Sequence, residues 1–296
     1  MIGVDWGTSS FRAYRMAPDG SVLDRKDAPQ GILTVPEGGF PAALEAQIGP
    51  WLDAGERHVL CCGMVGSRQG WVEAPYLRCP AGATEIAAAT IPLPFTRAEA
   101  RLVPGLITED AAGVPDVMRG EETKLLALAT FLGDAPARVL LPGTHTKWAT
   151  LQGRRIAGFT THMTGETYAA LSRHTILART GREGPVLPAA FSRGLARARQ
   201  PGGLLHHLFG VRTLHLTGRL EEEETLSFLS GLLIGHEVAA MTAGGPVAGE
   251  VHLAAAPTLA SLYARALDEA GIPHRLHDPD LVAAGLAQIA RSLSWL

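Results

Sequence analysis

The sequence predicts an α/β protein made of two similar domains. The chain has 296 residues, which is about two ordinary domains. A short apolar strand, a turn of small residues and a second strand occur at the N-terminus and again near the middle of the chain. The two copies align without gaps at an offset of 136 residues, matching Gly7-Thr8 with Gly143-Thr144 and Ser10 with Thr146. A repeat near half the chain length favours a duplicated domain over a solenoid, whose period would be much shorter.

The first half of the chain begins with strands, after which helices and strands alternate. Strands have apolar residues at every second position, and helices have them three or four apart. Pro18-Asp19-Gly20 predicts a hairpin turn between the second and third strands. The stretch over 71–108 is rich in Pro and Gly and stays unassigned. The predicted elements are strands over 2–5, 11–16 and 21–25, a helix over 40–52, a strand over 58–64 and a helix from 121 to about 132.

The second half repeats this order after a boundary at 133–136. We therefore expect an N-terminal domain over 1–134 and a C-terminal domain over 135–296. For the last helix, from about 280 to 296, packing back across the hinge remains an open alternative. The predicted elements are strands over 138–141, 147–151 and 155–161, helices over 165–177, 189–200 and 225–242, a strand over 251–255, and helices over 259–270 and 280–293.

Composition and charge exclude several classes of protein. Lys and Arg number 26 and Asp and Glu number 29, so the net charge is −3. Such a balance lacks the basic excess of a nucleic-acid or acidic-membrane binder. The apolar stretch over 226–243 contains His236 and Glu237, which favours a buried helix over a membrane span. Three unpatterned cysteines and the absence of a signal peptide before Asp5 predict a cytoplasmic protein with reduced thiols.

The two small-residue turns have the composition of anion cradles. Their backbone N–H groups and hydroxyls can bind phosphate, although an ordinary tight hairpin has the same composition. Asp5, at the end of the first strand, is suited to hold Mg²⁺ through water, because hard cations prefer oxygen ligands. The sequence contains neither a P-loop nor a G-x-G-x-x-G motif opening a helix, so those nucleotide-binding folds are unsupported.

The motifs resemble those of a known superfamily. IGVDWGTSSFR at 2–12 and LPGTHTKW at 141–148 look like the two phosphate motifs of the actin-like ATPase and sugar-kinase superfamily. More closely, the chain resembles the 2-dehydro-3-deoxygalactonokinase family. That resemblance is carried by DWGTS at 5–9, GMVGSRQGW at 63–71, PDVMRGEET at 115–123 and PGTHTKW at 142–148. The segments MTGE at 163–166 and SFLSGLLIG at 227–235 extend it over nearly the whole chain.

The resemblance implies a fold and an activity. It implies two ribonuclease-H-like domains with mixed five-stranded sheets around a central cleft, with ATP mainly against the second domain and a sugar acid against the first. It also implies transfer of the γ-phosphoryl group of ATP to the 6-hydroxyl of 2-dehydro-3-deoxy-D-galactonate, in galactonate catabolism. One segment departs from the superfamily: AAAP at 254–257 stands where glycine usually follows a strand. Alanine disfavours positive φ, which leaves the adenine contacts open.

The candidate catalytic residues are carboxylates. Phosphoryl transfer needs a carboxylate to accept the proton of the attacking hydroxyl. Glu121 and Glu122 stand at a predicted helix start, and we favour Glu121 because it follows Gly120 directly. Routine acidic charge at a helix N-terminus is the alternative. Asp110 and Asp116 are rivals for the base, and Asp5 is expected to hold Mg²⁺.

The remaining candidates bind the two substrates. The ATP phosphates are expected at Gly7, Thr8, Ser9, Ser10, Gly143, Thr144, His145, Thr146 and Lys147. The sugar acid is expected at Ser67, Arg68, Gln69 and Trp71, with the Arg68 guanidinium as a two-pronged partner for its carboxylate. A surface loop is the alternative for that segment, and a surface lysine is the alternative for Lys147.

Other functions remain open from the residues alone. The same fold serves phosphatases that act on polyphosphate or guanosine polyphosphates, and a non-catalytic sensor of a sugar acid or nucleotide would keep the same binding residues. The expected partners are the sugar acid and ATP, without nucleic acid or membrane. A homodimer is an open alternative to a monomer.

Overall fold

The computed structural model describes residues 1–243, 245 and 249–296, which form two units. Unit 1 comprises Met1–Pro136, Ala149–Thr160 and Asp280–Leu296, and unit 2 comprises Ala137–Trp148 and Thr161–Pro279. The predicted split after residue 134 differs from this division in two segments. Both Ala149–Thr160 and Asp280–Leu296 belong to unit 1, although they follow the boundary in sequence.

The described residues contain both strands and helices throughout. The strands are β1 (Ile2–Trp6), β2 (Phe11–Met16), β3 (Val22–Ala28), β4 (His58–Cys62), β5 (Tyr76–Arg78), β6 (Ile91–Pro92), β7 (Glu99–Leu102), β8 (Gly105–Glu109), β9 (Pro115–Met118), β10 (Ala137–Leu141), β11 (Thr146–Gln152), β12 (Arg155–His162), β13 (Val251–Ala254) and β14 (His274–His277). The helices are α1 (Phe40–Asp53), α2 (Ala83–Ala88), α3 (Glu121–Leu132), α4 (Thr164–His174), α5 (Pro188–Ala198), α6 (Gly203–Leu216), α7 (Glu222–Thr242), α8 (Pro257–Glu269) and α9 (Val282–Ser292).

The main sheet of unit 1 has the order β3-β2-β1-β4-β7-β6. β1, β2 and β3 form an antiparallel meander, while β1, β4 and β7 run parallel. The two-residue β6 adds an antiparallel edge, so this sheet has six strands where five were predicted. Apolar residues of alternating strand positions, including Ile2, Val4 and Trp6, pack with Leu44 and Ile48 of α1 in a buried core.

The second sheet has the order β12-β11-β10-β13-β14, with β10, β13 and β14 parallel. Three strands adjacent in sequence followed by two parallel strands is the arrangement of the first sheet. The duplicated α/β fold predicted from the sequence is therefore confirmed.

Three regions of the chain differ from the sequence predictions. The unassigned stretch over 71–108 contributes strands to both the main sheet and a small third sheet, β5-β8-β9. The segment around His206 and His207, expected to be a loop, is helix α6, in which His207 is buried. β14 was also missed, because its four residues pair only with β13 and lack an apolar alternation.

Two helices bear on the positions of functional residues. α9 packs against α3 so closely that a Cβ on Gly285 would lie 1.8 Å from the backbone oxygen of Thr123. α7 is long and apolar enough to cross a membrane by length and composition, but most of its apolar stretch is buried inside the protein. This agrees with the predicted buried helix.

Candidate active site

Three chain segments of unit 1 meet where β1 and β4 end and α3 begins. Gly63 follows β4 at φ +91°, and a Cβ there would lie 3.1 Å from Oδ1 of Asp5. Gly120 precedes α3 at φ +109°, and a Cβ there would lie 3.3 Å from the Cα of Gly63. L-residues other than glycine rarely adopt such φ values, so both positions favour glycine. The two glycines bring the Asp5 carboxylate and the start of α3 together.

Asp5 is largely enclosed, with a side chain 22% exposed and Nη1 of Arg12 3.7 Å from its Oδ2. Burial raises the pKa of this carboxyl, while the charges of Arg12 and Lys124 lower it. Burial outweighs these charges, so the pKa of Asp5 is raised overall and its ionised form would be favoured by a bound cation; Asp5 is therefore a suitable oxygen ligand for a hard cation. Among the described residues no three His, Cys, Asp or Glu side chains form a metal-binding group. A single carboxylate that leaves the other positions to phosphate and water is typical of Mg²⁺.

Glu121 and Glu122 occupy different environments in the first turn of α3. Glu122 is fully buried, and its Oε2 accepts a hydrogen bond from the Gly120 N–H at 2.7 Å. Burial and then the charge of Glu121 raise the pKa of Glu122 to about 8. Glu121 is half-buried, and its Oε2 accepts a 3.2 Å hydrogen bond from the Arg119 N–H. Glu121 therefore retains the solvent access that a proton acceptor needs.

The two aspartate rivals lie in or beside the β8–β9 hairpin. Asp110 is exposed, and its Oδ1 accepts hydrogen bonds from the backbone N–H groups of Ala112 at 2.8 Å and Val114 at 2.9 Å. This is an aspartate turn motif, and it gives Asp110 a structural role. Asp116 lies within β9 and pairs in register with Thr108. The hydrogen bonds of Asp110 and the register of Asp116 thus place both aspartates in the β8–β9 hairpin.

The predicted sugar-acid segment forms a loop after β4. Arg68 and Gln69 are exposed, and the Arg68 side chain is 87% exposed with Nε 3.5 Å from Oε1 of Glu73. Trp71 is half-buried and stacks on Phe40, their ring centroids 6.1 Å apart. The Ser67 Oγ is buried without a hydrogen-bond partner.

Sequence reasoning missed a residue beside this loop. Arg119 is half-buried, its Cζ lies 4.5 Å from the centroid of the Tyr76 ring, and its Nη2 donates to the backbone oxygen of Ala74 at 2.7 Å. Its Nε and Nη1 are buried and have no partner. The RGEE pattern that singled out Glu121 and Glu122 contains Arg119, and only the three-dimensional contacts distinguish it from an ordinary surface arginine.

The first predicted phosphate turn is supported closely from behind. Gly7 donates to the Ser10 backbone oxygen at 2.8 Å, and Ile32 donates to the Gly7 oxygen at 3.0 Å. A Cβ on Gly31 would lie 2.1 Å from the Thr8 oxygen, so only glycine fits there. Thr8 and Ser9 remain exposed at the tip of the turn. Their position agrees with an anion cradle.

The second turn is supported in the same way, by the start of α4. A Cβ on Gly165 would lie 2.4 Å from the Gly143 oxygen, and the Glu166 N–H donates to the Thr144 oxygen at 3.0 Å. Glu166 also pairs through Oε2 with Nε2 of His145 at 2.5 Å. Thr144 and His145 are exposed. Each turn thus has a glycine behind it and exposed small or polar residues in front.

The two residues that follow the second turn point into the protein. The hydroxyl of Thr146 is buried and lies 2.9 Å from the Tyr263 hydroxyl. Lys147 is also buried, and its Nζ donates to the Thr161 hydroxyl at 2.7 Å. Lys147 is therefore not the surface lysine that was the alternative interpretation.

A cavity of about 480 Å³ opens beside the second turn in unit 2. Its walls combine apolar side chains with a few hydroxyls, as is common for cofactor sites. Gly143 lies on one wall and Thr258, in the first turn of α8, on another. Ala256, just before α8, has φ −56°, so the alanines at 254–256 do not have to adopt the positive φ that would strain them. Other residues of the wall are Thr164, Tyr168, Ser227, Leu262 and Tyr263.

A buried carboxylate connects the walls of this cavity with β11. Glu237 of α7 is 3% exposed and accepts hydrogen bonds from Nε1 of Trp148 at 2.8 Å and the Tyr263 hydroxyl at 2.7 Å. It also accepts one from the Thr164 hydroxyl. A buried carboxylate is stable when its oxygens are hydrogen-bonded, and these three donors meet that need. Glu237 therefore fixes residues from β11, α4 and α8 around the cavity.

Comparisons with known proteins agree with this architecture. A family model described as 2-keto-3-deoxy-galactonokinase matches residues 5–289. A relative from Rhizobium meliloti (strain 1021), named a probable 2-dehydro-3-deoxygalactonokinase, is 39% identical over 98% of this chain and 96% of its own. The 2-dehydro-3-deoxygalactonokinase of Escherichia coli (strain K12) is 34% identical over 91% of this chain and 90% of its own.

A solved structure extends the similarity to three dimensions. A protein from Sinorhizobium meliloti, assigned to the same kinase, has a TM-score of 0.91 and 39% identity, with 100% of this chain and 99% of the other covered. The family model spans both turns and the start of α3, and both sequence relatives cover most of the chain. This chain therefore belongs to the 2-keto-3-deoxy-galactonokinase family.

Proposed function

We propose that this protein transfers the γ-phosphoryl group of ATP to the 6-hydroxyl of 2-dehydro-3-deoxy-D-galactonate. The observation that carries the proposal is the cavity of unit 2 in a chain of this family. It extends from Gly143 of the second phosphate turn to Thr258 after β13 and is large enough for a nucleoside. Family membership gives no support to the phosphatase or sensor alternatives. The predicted place of action is the cytoplasm.

The two turns supply the phosphate contacts in this proposal. Backbone N–H groups and hydroxyls at the tips, from Thr8 and Ser9 in one turn and Thr144 in the other, stabilise the phosphate oxygens. Gly31 and Gly165 hold the tips in place from behind. The remaining proposed contacts are those of Gly7, Ser10, Gly143, His145, Thr146 and Lys147. Because the Thr146 and Lys147 side chains are bonded within unit 2, their contribution is to fix the position of the turn.

Asp5 is the proposed residue for Mg²⁺. Its enclosed carboxylate, with Arg12 and Lys124 nearby, has the chemistry to hold a hydrated hard cation. When bound, Mg²⁺ neutralises phosphate charge during the transfer. The carboxylate itself positions the ion at the end of β1.

Glu121 is the proposed general base. It accepts the proton of the attacking 6-hydroxyl as the new bond to phosphorus forms, and ADP leaves. Glu122, neutral when its pKa is about 8, holds the Gly120 turn instead. Ser67, Arg68, Gln69 and Trp71 are the proposed sugar-acid segment.

An assay of ADP release tests the activity. Wild-type protein with ATP and Mg²⁺ should release ADP only when 2-dehydro-3-deoxy-D-galactonate is added. Phosphorus NMR of the product should show a phosphate ester coupled to two protons of a primary carbon. The C4 epimer of this substrate, 2-dehydro-3-deoxy-D-gluconate, serves as the control acid. Phosphate release from ATP or polyphosphate without any acid would instead support a phosphatase, and ATP binding without turnover would support a sensor.

The base assignment has its own matched pair of variants. Glu121→Gln should lower turnover by about 10²–10⁴-fold, the usual cost of losing a general base, with the KM for ATP nearly unchanged. Glu122→Gln keeps a neutral group at the buried position and should change turnover much less. A larger loss for Glu122→Gln would exchange the two roles.

A further inference from the structure

The guanidinium of Arg119 has a bonding pattern that the protein itself does not complete. One side stacks over Tyr76, with 4.5 Å between Cζ and the ring centroid, and Nη2 donates to the Ala74 oxygen at 2.7 Å. Two other donor atoms of the guanidinium, Nε and Nη1, have no hydrogen-bond partner although both are buried. Buried charged donors without partners are costly, so these two atoms call for a ligand or an ordered water.

A second unpartnered group belongs to the residue that follows a close neighbour of Nη1. A Cβ on Gly66 would be 3.0 Å from Nη1 of Arg119, and Gly66 is followed directly by Ser67, whose Oγ is buried and unpartnered. A carboxylate accepts strong, charge-assisted hydrogen bonds from guanidinium N–H groups, and it can also accept one from a hydroxyl.

Arg68, the arginine expected from the sequence to bind the carboxylate, is a weaker candidate. Its side chain is 87% exposed and is paired with Glu73 at 3.5 Å. An exposed arginine is solvated by water and loses little when a ligand is absent, so it adds little discrimination. Arg119 also lies two residues from Glu121, whose carboxylate accepts its backbone N–H at 3.2 Å. The guanidinium contacts Tyr76 and the backbone oxygen of Ala74, which belong to a different segment from α3.

We propose that Arg119, assisted by the hydroxyl of Ser67, binds the carboxylate of the sugar acid and makes the enzyme select acids over uncharged sugars. This inference rests on the proposed function, because it takes the acceptor to be a 2-keto acid phosphorylated at its far end. It assigns to Arg119 a binding role in addition to the base assigned to Glu121.

The test compares the acid with its carboxamide, which keeps the shape and loses the charge. Wild type should prefer the acid by about 10- to 100-fold in kcat/KM, the value of a charged hydrogen-bonded contact. Arg119→Lys keeps the charge but loses the Nε and Nη1 donors, and should remove most of that preference through a higher KM for the acid. The KM for ATP and the kcat for the amide should stay within about twofold of wild type if only this contact is lost.

Two further variants keep the outcome decisive. Ser67→Ala leaves the Tyr76 stack intact and should raise the KM for the acid by about three- to tenfold, as expected for one lost hydrogen bond. Arg78→Lys is the matched control, because Arg78 is an exposed arginine paired with Glu109 at 2.8 Å and lies outside the proposed substrate residues; it should leave the preference for the acid unchanged. Retention of the full preference in both Arg119→Lys and Ser67→Ala, or its loss in Arg68→Lys alone, would overturn the inference. Failure of wild type to phosphorylate the acid at all would refute the proposed function before any variant is compared.

Discussion

The buried Glu122 should make the stability of unit 1 depend on pH in a way that one substitution removes. Its pKa in the folded protein is about 8, against an ordinary value of 4.5. The folded state therefore keeps a proton that the unfolded chain releases between these values. The stabilisation is complete below pH 4.5 and is lost as the pH rises through about 8. Glu122→Gln replaces the carboxyl with a neutral group of the same shape and should abolish this dependence.

The size of the effect follows from the two pKa values. Linkage predicts that the variant gains stability over wild type by about 1 kcal/mol at pH 5 and about 4 kcal/mol at pH 8, apart from a constant offset. The increase of about 3–4 kcal/mol across this range is the quantity to measure. The constant offset reflects the exchange of the Gly120 hydrogen bond from a carboxyl to an amide oxygen, and it does not change with pH.

Urea unfolding followed by tryptophan fluorescence suits this measurement. Four of the five tryptophans belong to unit 1, with Trp148 in unit 2 as the exception, so the signal reports mainly on the unit that contains Glu122. Unfolding curves at several pH values between 5 and 8 give the difference between variant and wild type, in which the titration of histidines common to both proteins cancels.

Glu222→Gln provides the control, because it makes the same chemical change in the first turn of α7 at an exposed site. The Glu122→Gln difference should change with pH much more than the difference measured for this control. A Glu122→Gln difference that does not change with pH would mean that the carboxyl is ionised in the folded protein, and the argument for its neutral role would fail.

Three other predictions concern packing, the nucleotide site and the metal ligand. Gly285→Ala should destabilise the protein by about 1–3 kcal/mol or more, because its Cβ would lie 1.8 Å from the Thr123 oxygen. Gly49→Ala, in open space within α1, should stabilise the protein by up to about 1 kcal/mol. Thermal unfolding compares the two variants, and equal effects would contradict the packing. Glu237→Gln removes one of the oxygens that accept hydrogen bonds from the buried donors around Glu237. It should raise the KM for ATP about tenfold and leave the KM for the sugar acid unchanged. Equal changes in both constants would argue against a nucleotide-specific role. Asp5→Asn should collapse turnover with an unchanged circular dichroism spectrum, and near wild-type turnover with normal Mg²⁺ dependence would exclude Asp5 as the metal ligand.

Elements that depend on local pattern could be predicted from the sequence. The alternation of β1 and β2, the Pro-Asp-Gly turn and the apolar spacing of α1 are all readable within a dozen residues. The predicted α3 matches the structure at both ends, because Gly120 and Gly133 flank a continuous run of helix-forming residues. The repeat of these local patterns at a constant offset then indicated the duplicated sheets.

Elements that depend on distant partners could not be predicted. β8 pairs with β5 on one side and β9 on the other, and none of these short strands has an alternation of its own. α6 carries apolar residues on its exposed face as well as its buried one, with Leu205 84% exposed, so its sequence lacks a clear helical stripe.

The candidate site likewise has parts that the local sequence predicts and parts that depend on distant segments. The turns around Thr8 and Thr144 are local motifs, and the sequence placed them at strand ends. The glycines that support them, Gly31 and Gly165, come from other segments and carry no signal in the sequence. The burial of Glu237 likewise depends on donors from three separate elements, which only folding brings together.

The neighbouring glutamates of α3 show why a catalytic residue needs the structure as well as the motif. Successive residues of a helix are rotated by about 100° around its axis, so only one of two adjacent carboxylates can face the interior of the protein. The buried one, Glu122, bonds to the Gly120 N–H and so supports the turn whose φ of +109° leads into the helix. The other, Glu121, is thereby held at a fixed position with access to solvent. Burial, and after it the charge of Glu121, raises the pKa of Glu122 and keeps that buried carboxyl neutral. A pair of acids that looks redundant in sequence thus separates into a buried neutral residue that positions the turn and a solvent-accessible residue that is placed to accept a proton.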